Sequence, residues 1–137
     1  MDINTYLYFD GRCEEAFKVY EKVLKGRIVM MLKYADAPTG QPVSAGTENR
    51  IMHARILVGS RFLMGSDTPE GRFRKPQGFS VAVNVDTPGE AERVFAELSR
   101  GGSVSVPLTE TFFADRFGML EDRFGVAWIV NCEKPAS

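Results

Sequence analysis

Polar and apolar positions along the chain change period several times, and the changes come in the same order twice. Thr5–Phe9 alternates Tyr6 and Tyr8 against Leu7 and Phe9, the two-residue period of a half-buried strand. Asp10-Gly11 marks a turn, and Cys13–Gly26 takes up a helical period. Ala16, Phe17, Tyr20, Val23 and Leu24 share one face of that helix, with Glu14, Glu15, Lys18, Glu21, Lys22 and Lys25 facing outward. Gly26 is the expected C-cap, followed by a strand over Arg27–Leu32. The second round reads Phe79–Val85 as strand, Gly89–Gly102 as helix and Ser103–Val106 as strand. A shift of 75 residues places Ala16 on Ala91, Val19 on Val94, Tyr20 on Phe95, Val23 on Leu98 and Gly26 on Gly101. The buried stripe and the helix terminator repeat together, which points to duplicated modules.

Each round continues with further strands. In the first, Ile51–Val58 and Arg61–Ser66 flank a tight turn at Gly59-Ser60-Arg61. In the second, VSVPL precedes a loop over residues 109–117, a short strand about Gly118–Asp122, a turn at Arg123-Phe124-Gly125 and a strand over Val126–Asn131. Thr87-Pro88-Gly89-Glu90 opens the second helix as a capping box with Pro at the first helical position. The expected fold is therefore α+β, two βαβββ modules forming a curved, cupped mixed sheet. The modules cover about 1–66 and 78–132 of a single domain spanning 1–137, with a Gly/Pro-marked linker at 67–77. The Pro/Gly/Ser/Thr-rich stretch Tyr34–Arg50 is long for a connector and reads as a flap bordering a pocket or as filler.

Composition narrows the function classes. A formal net charge of −1, with acids and bases interspersed, supplies no field to gather nucleic acid or an anionic membrane, so neither is an expected partner. Two cysteines, Cys13 and Cys132, do not make a disulfide scaffold; free thiols in a reducing, cytoplasmic compartment are expected. The chain starts on a strand pattern rather than a secretory leader, and no apolar run is long enough to cross a bilayer. HExxH, CxxC and GxSxG are absent. Ten Phe, four Tyr and one Trp favour a ligand pocket, though a core also uses them.

His53, the only histidine, lies two residues before Arg55 on a strand, so both face one side. Two readings fit: an acid or base near neutral pH beside an anion clamp, or a structural histidine bonded inside its strand pair. Tyr6 and Tyr8 also share a face, to present phenols to a ligand or to fill core. Phe112, Phe113 and Phe117 form an aromatic cluster in a loop, a pocket rim or a dimer contact. Asp122 is expected to accept backbone hydrogen bonds ahead of a hairpin.

The strings YLYFDGRCEEAFKVYEKVLKG, MHARILVGSRFLMGSD, GFSVAVNVDTPGEAERVFAEL and FGMLEDRFGVAWIVN resemble the PhnB-like branch of the vicinal oxygen chelate superfamily, which holds glyoxalases, bleomycin-resistance proteins and extradiol dioxygenases. The likeness runs from Thr5 to Asn131 and keeps the element order. It implies a homodimer of paired βαβββ modules. Members are often labelled demethylubiquinone methyltransferases, but no glycine-rich turn followed by a ribose-binding acid accompanies the likeness here, so methyl transfer is not expected. The superfamily's enzymes hold one divalent metal with a side chain from each of four strands. Carried over, those corners are Asn4 or Thr5, His53, Ser80 and Trp128. Only His53 is a good ligand, so no metal and no other cofactor is expected; Trp128 would plug the cavity or stack on a planar ligand.

The ligand-binding residues expected are Tyr6, Tyr8, His53, Arg55, Phe113 and Trp128, in a homodimer that takes a small molecule. The alternative is a metal-dependent lyase, isomerase or dioxygenase-like enzyme, with oxygen ligands drawn from Glu48, Asp67, Glu110 or Glu121.

Overall fold

The structure is a computed structural model that describes residues 1–38, 40 and 42–135. It divides into two compact units, Met1–Arg74 and Lys75–Ser137. The first holds β1 (Thr5–Phe9), α1 (Cys13–Val23), β2 (Arg27–Lys33), β3 (Ile51–Val58) and β4 (Arg61–Asp67). The second holds β5 (Val81–Asn84), α2 (Pro88–Ser99), β6 (Ser103–Thr109), β7 (Ala114–Glu121) and β8 (Ala127–Glu133). Both are βαβββ modules, and the fold is α+β. The strand orders are the same, β1-β4-β3-β2 and β5-β8-β7-β6, with the first strand of each module parallel to its last.

Each helix packs on one face of its own sheet because its apolar stripe needs cover. In the first unit Cys13, Ala16, Phe17, Tyr20 and Val23 of α1 are buried with Leu7 and Phe9 of β1, Ala54 and Ile56 of β3, and Leu63 of β4. In the second, Ala91, Val94 and Leu98 of α2 are buried with Leu120, Trp128, Val130 and Cys132. Of the residues that the 75-residue shift superimposes, Ala16 and Ala91 match in burial, as do Val23 and Leu98. Tyr20 is buried where Phe95 is only half-buried, and Val94 where Val19 is half-buried.

Several boundaries differ from the sequence reading for local reasons. Helix α1 ends at Val23, and the left-handed residue after it is Lys25 (φ 53°) rather than Gly26. Gly26 is required instead for close approach: a Cβ there would lie 2.8 Å from the Ile56 side chain and from the Leu57 carbonyl oxygen. Strand β7 begins at Ala114, within what reads as loop: Ala114 pairs with Glu133 and Arg116 with Cys132 across a register shift, while Arg116 reaches Glu92 of α2 and Asp115 reaches Lys134. The capping interaction of α2 is present, with the Thr87 hydroxyl accepting from the Glu90 amide at 3.2 Å. Of the expected flap, Thr39 and Gln41 lie outside the described residues. Its flanks are tied down by Tyr34 N–H to the Arg50 carbonyl, Ala35 N–H to the Glu48 carbonyl, and Glu70 N–H to the Thr47 hydroxyl.

Candidate functional site

Since α1 covers one face of the first sheet, the alternate side chains are left on the other. Two rows cross that uncovered face. Register pairs Tyr6 with Met64, Met64 with Arg55, and Arg55 with Met30. The next row pairs Tyr8 with Ser66 and His53 with Leu32, and extending the β3–β4 ladder by one residue sets Ser66 beside His53. Four of the six expected site residues, Tyr6, Tyr8, His53 and Arg55, therefore share one surface over an apolar floor. Met64, Met30, Leu32 and Ser66 complete it; periodicity marks each of them, but only strand order shows that they meet.

The Tyr6 hydroxyl lies 3.0 Å from His53 Nδ1, and the two rings stack with centroids 5.7 Å apart. Tyr8 leans on Tyr6 at 5.2 Å and is itself 54% exposed. Burial pushes the Tyr6 phenol up, against a hydrogen bond from Ser66, so it stays protonated at neutral pH. Burial, and then the positive charge of Arg55, push His53 down, so its imidazole is neutral there. The phenol O–H is the stronger donor and the ring nitrogen the stronger acceptor. Tyr6 thus donates to Nδ1 and leaves Nε2–H as a free donor.

A depressed histidine means that the unfolded chain binds the extra proton first. Stability therefore falls as pH drops from the ordinary 6.5 through the folded value, and is level above that window. Titration of this single imidazole by NMR is expected to give a midpoint below 6.5, rising in Arg55→Met. A midpoint at or above 6.5 in the parent protein would contradict the arrangement.

The second sheet repeats the lattice with different chemistry. Register aligns Asn84, Asn131, Phe117 and Thr109 in one row, and Ala82, Ile129, Met119 and Val106 in the other. Asn131 donates its amide to the Asn84 side-chain oxygen at 3.0 Å. Phe113 stacks edge-on against Phe117 at 5.2 Å and is 48% exposed, beside the almost fully exposed Phe112.

Trp128 departs from its expected place. It shares the helix-covered face with Val130 and Cys132, is fully buried, and donates its indole N–H to Asp122 Oδ2 at 2.9 Å. It occupies the core beneath α2, away from the uncovered face, so neither cavity plugging nor ligand stacking describes it. The signal was available: Val126, Trp128, Val130 and Cys132 make the more apolar set of that strand's alternation. Asp122 does what the hairpin reading asked, accepting from the Phe124 and Val126 amides through Oδ1.

The sequence profile of the 3-demethylubiquinone-9 3-methyltransferase family matches residues 1–131. The chain belongs to this family. Protein PA1353 of Pseudomonas aeruginosa shares 47% identity with it at a TM-score of 0.88, covering 98% of this chain and 99% of that one. The PhnB protein of Bacillus cereus shares 28% at a TM-score of 0.79, covering 96% and 99% respectively. A glyoxylase/bleomycin resistance protein/dioxygenase domain from Frankia is 11% identical at a TM-score of 0.64 over 96% and 94% of the chains, a likeness of fold alone. The PhnB-like resemblance and the vicinal-oxygen-chelate fold expected from the sequence both hold.

The resemblance to the vicinal oxygen chelate enzymes implies a divalent metal, and the donors of this chain do not fit one. Among the described residues no three His, Cys, Asp or Glu side chains converge. Of the carried-over corners, Trp128 has no lone pair to give and faces the core, and Asn4, Thr5 and Ser80 offer weak oxygen donors. The acids that might have substituted are otherwise engaged. Asp67 Oδ1 accepts from the Gly11 and Cys13 amides and Oδ2 from the Ile51 amide, all within 3.0 Å. Glu110 pairs with Lys134 and Glu121 with Lys75, while Glu48 is on the surface. Cys13 is equally unsuited to nucleophilic work: burial, then the charges of Asp67 and Glu14, push its thiol well up. Among the described residues no helix is long and apolar enough to cross a membrane.

Proposed function

We propose that this protein is a cytoplasmic homodimer that binds a small, partly aromatic or amphipathic molecule without a metal, its two modules acting as one ligand-binding domain. The observation that carries the reading is the convergence of Tyr6, Tyr8, His53 and Arg55 on the uncovered face of the first sheet. Phenols and an imidazole N–H supply directional contacts, and Met30, Met64 and Leu32 supply the apolar floor that such pockets use. Self-association draws support from each unit separately, since Tyr8 and Met30 in the first and Val106 and Phe113 in the second remain 37–54% exposed. The same Phe113 serves as rim or as dimer contact.

Protein purified without a nickel column is expected to run as a dimer in light scattering and to carry less than stoichiometric metal. A thermal-shift panel of small aromatics should contain stabilising members. A ligand at a hundredfold excess over its Kd adds about 2.7 kcal/mol. Tyr8→Ala and His53→Ala should abolish the shift of any such member. Stoichiometric zinc, iron, manganese or nickel that is lost in His53→Ala would overturn the reading in favour of a metal-dependent lyase, isomerase or dioxygenase.

A further inference from the structure

Arg55 stands apart from the other half-buried arginines. Arg50 reaches Asp10 and Glu70, Arg93 reaches Glu90 and Glu97, Arg116 reaches Glu92, and Arg123 donates to the Arg100 carbonyl. Arg55 has no carboxylate and no hydrogen-bond acceptor among the described residues, and its Nε is buried with no partner. Its one specific contact is with the Phe62 ring, 4.2 Å from the guanidinium carbon, which attracts the charge but accepts none of its five N–H bonds in the ring plane. A partly desolvated cation without a counterion costs free energy, and a chain keeps one there when something else supplies the anion.

The neighbours agree in sign. No acidic side chain lies on this face of the four strands, and the polar groups on it can donate: His53 Nε2–H in the strand of Arg55, and the Tyr8 hydroxyl in the edge strand, in the row of Ser66 and His53. Met30 and Met64 flank Arg55 in its row, so an apolar body has a place to lie while its charged end meets the guanidinium.

We infer that Arg55 is the anion anchor of this face, and that the ligand is an oxyanion carried on an apolar or aromatic body. The inference rests on the small-molecule reading above and adds to it the ligand's charge.

The test is calorimetric titration of the full chain with 2-naphthoate and 2-naphthamide, two probes that share a ring system and differ in charge. The parent protein should bind the carboxylate at least about tenfold more tightly, the scale of one charge-assisted hydrogen bond. Arg55→Met should remove that preference, and Arg55→Lys should keep part of it. Naphthoate, more than naphthamide, should shift the Arg55 Nε–H resonance in the parent protein, a readout that needs no variant to fold. Equal affinity for both probes overturns the anion inference and leaves the small-molecule reading standing; failure of both probes and of every aromatic in the panel removes both. A drop in dimer mass in Arg55→Met with the probe preference unchanged would also overturn the inference, by assigning Arg55 to a carboxylate of a second copy.

Discussion

Asp67→Ala is expected to lower the unfolding free energy by about 3–5 kcal/mol, the cost of breaking a buried hydrogen-bonded charge site. Asp67 is 1% exposed, and its carboxylate accepts three backbone amides: Gly11 and Cys13 at the entrance of α1, and Ile51 at the start of β3. Removing it strands buried N–H groups in two elements at once, each costing about 1–3 kcal/mol. The Tyr34 hydroxyl also donates to the Asp67 main-chain oxygen, so the loss spreads to the edge of the tyrosine face. Asp67→Asn is the sharper variant, because its NH2 group would point at an amide that needs an acceptor. Urea unfolding measures both; a loss below about 1 kcal/mol for Asp67→Ala would mean that water replaces the carboxylate.

Gly102→Ala is expected to cost about 3 kcal/mol, at the top of the overpacking range. A Cβ there would stand 2.1 Å from the Glu121 carbonyl oxygen and 3.0 Å from two main-chain atoms of Asp122. All three are backbone, so no rotamer change relieves the clash. The β6–β7 pairing at Ser103 and Glu121 must open, and with it the hairpin organised by Asp122. Gly59→Ala is the comparison that isolates this effect. That glycine has φ 59° and nothing within 4 Å of an added Cβ, so it reports backbone strain alone, about 1 kcal/mol. Thermal and urea unfolding should rank Gly102→Ala clearly above it; equal losses would show that space around Gly102 is not the constraint.

These two residues also show where sequence reading stops. The Gly101-Gly102 pair reads as a helix terminator, and Gly101 at φ 72° fulfils that role. The demand on Gly102 comes from a strand end 19 residues later, and no local pattern signals it. Asp67 sits in a Gly/Pro-marked stretch that reads as linker, but the amides it serves are 54 and 56 residues away in one direction and 16 in the same direction along the chain. A carboxylate at a strand end carries no mark of which amides will meet it. Lys25 in the left-handed region makes the same point from the other side, since the adjacent glycine is spent on packing against β3.

The alternation of Tyr6 and Tyr8 against Leu7 and Phe9, and the two-residue spacing of His53 and Arg55, determined from the sequence alone that each pair shares a face. The duplicated run of strand, helix and three strands likewise determined the α+β class, because those periods are properties of the backbone and need no partner. Which face the helix covers was decided only by the tertiary structure, and that choice sends Trp128 into the core and leaves Arg55 without an acid. A two-residue period defines two sides of a sheet without naming the buried one. Strand order β1-β4-β3-β2, which sets Tyr6 against His53 across 47 residues, is fixed by pairings between segments that share no local signal.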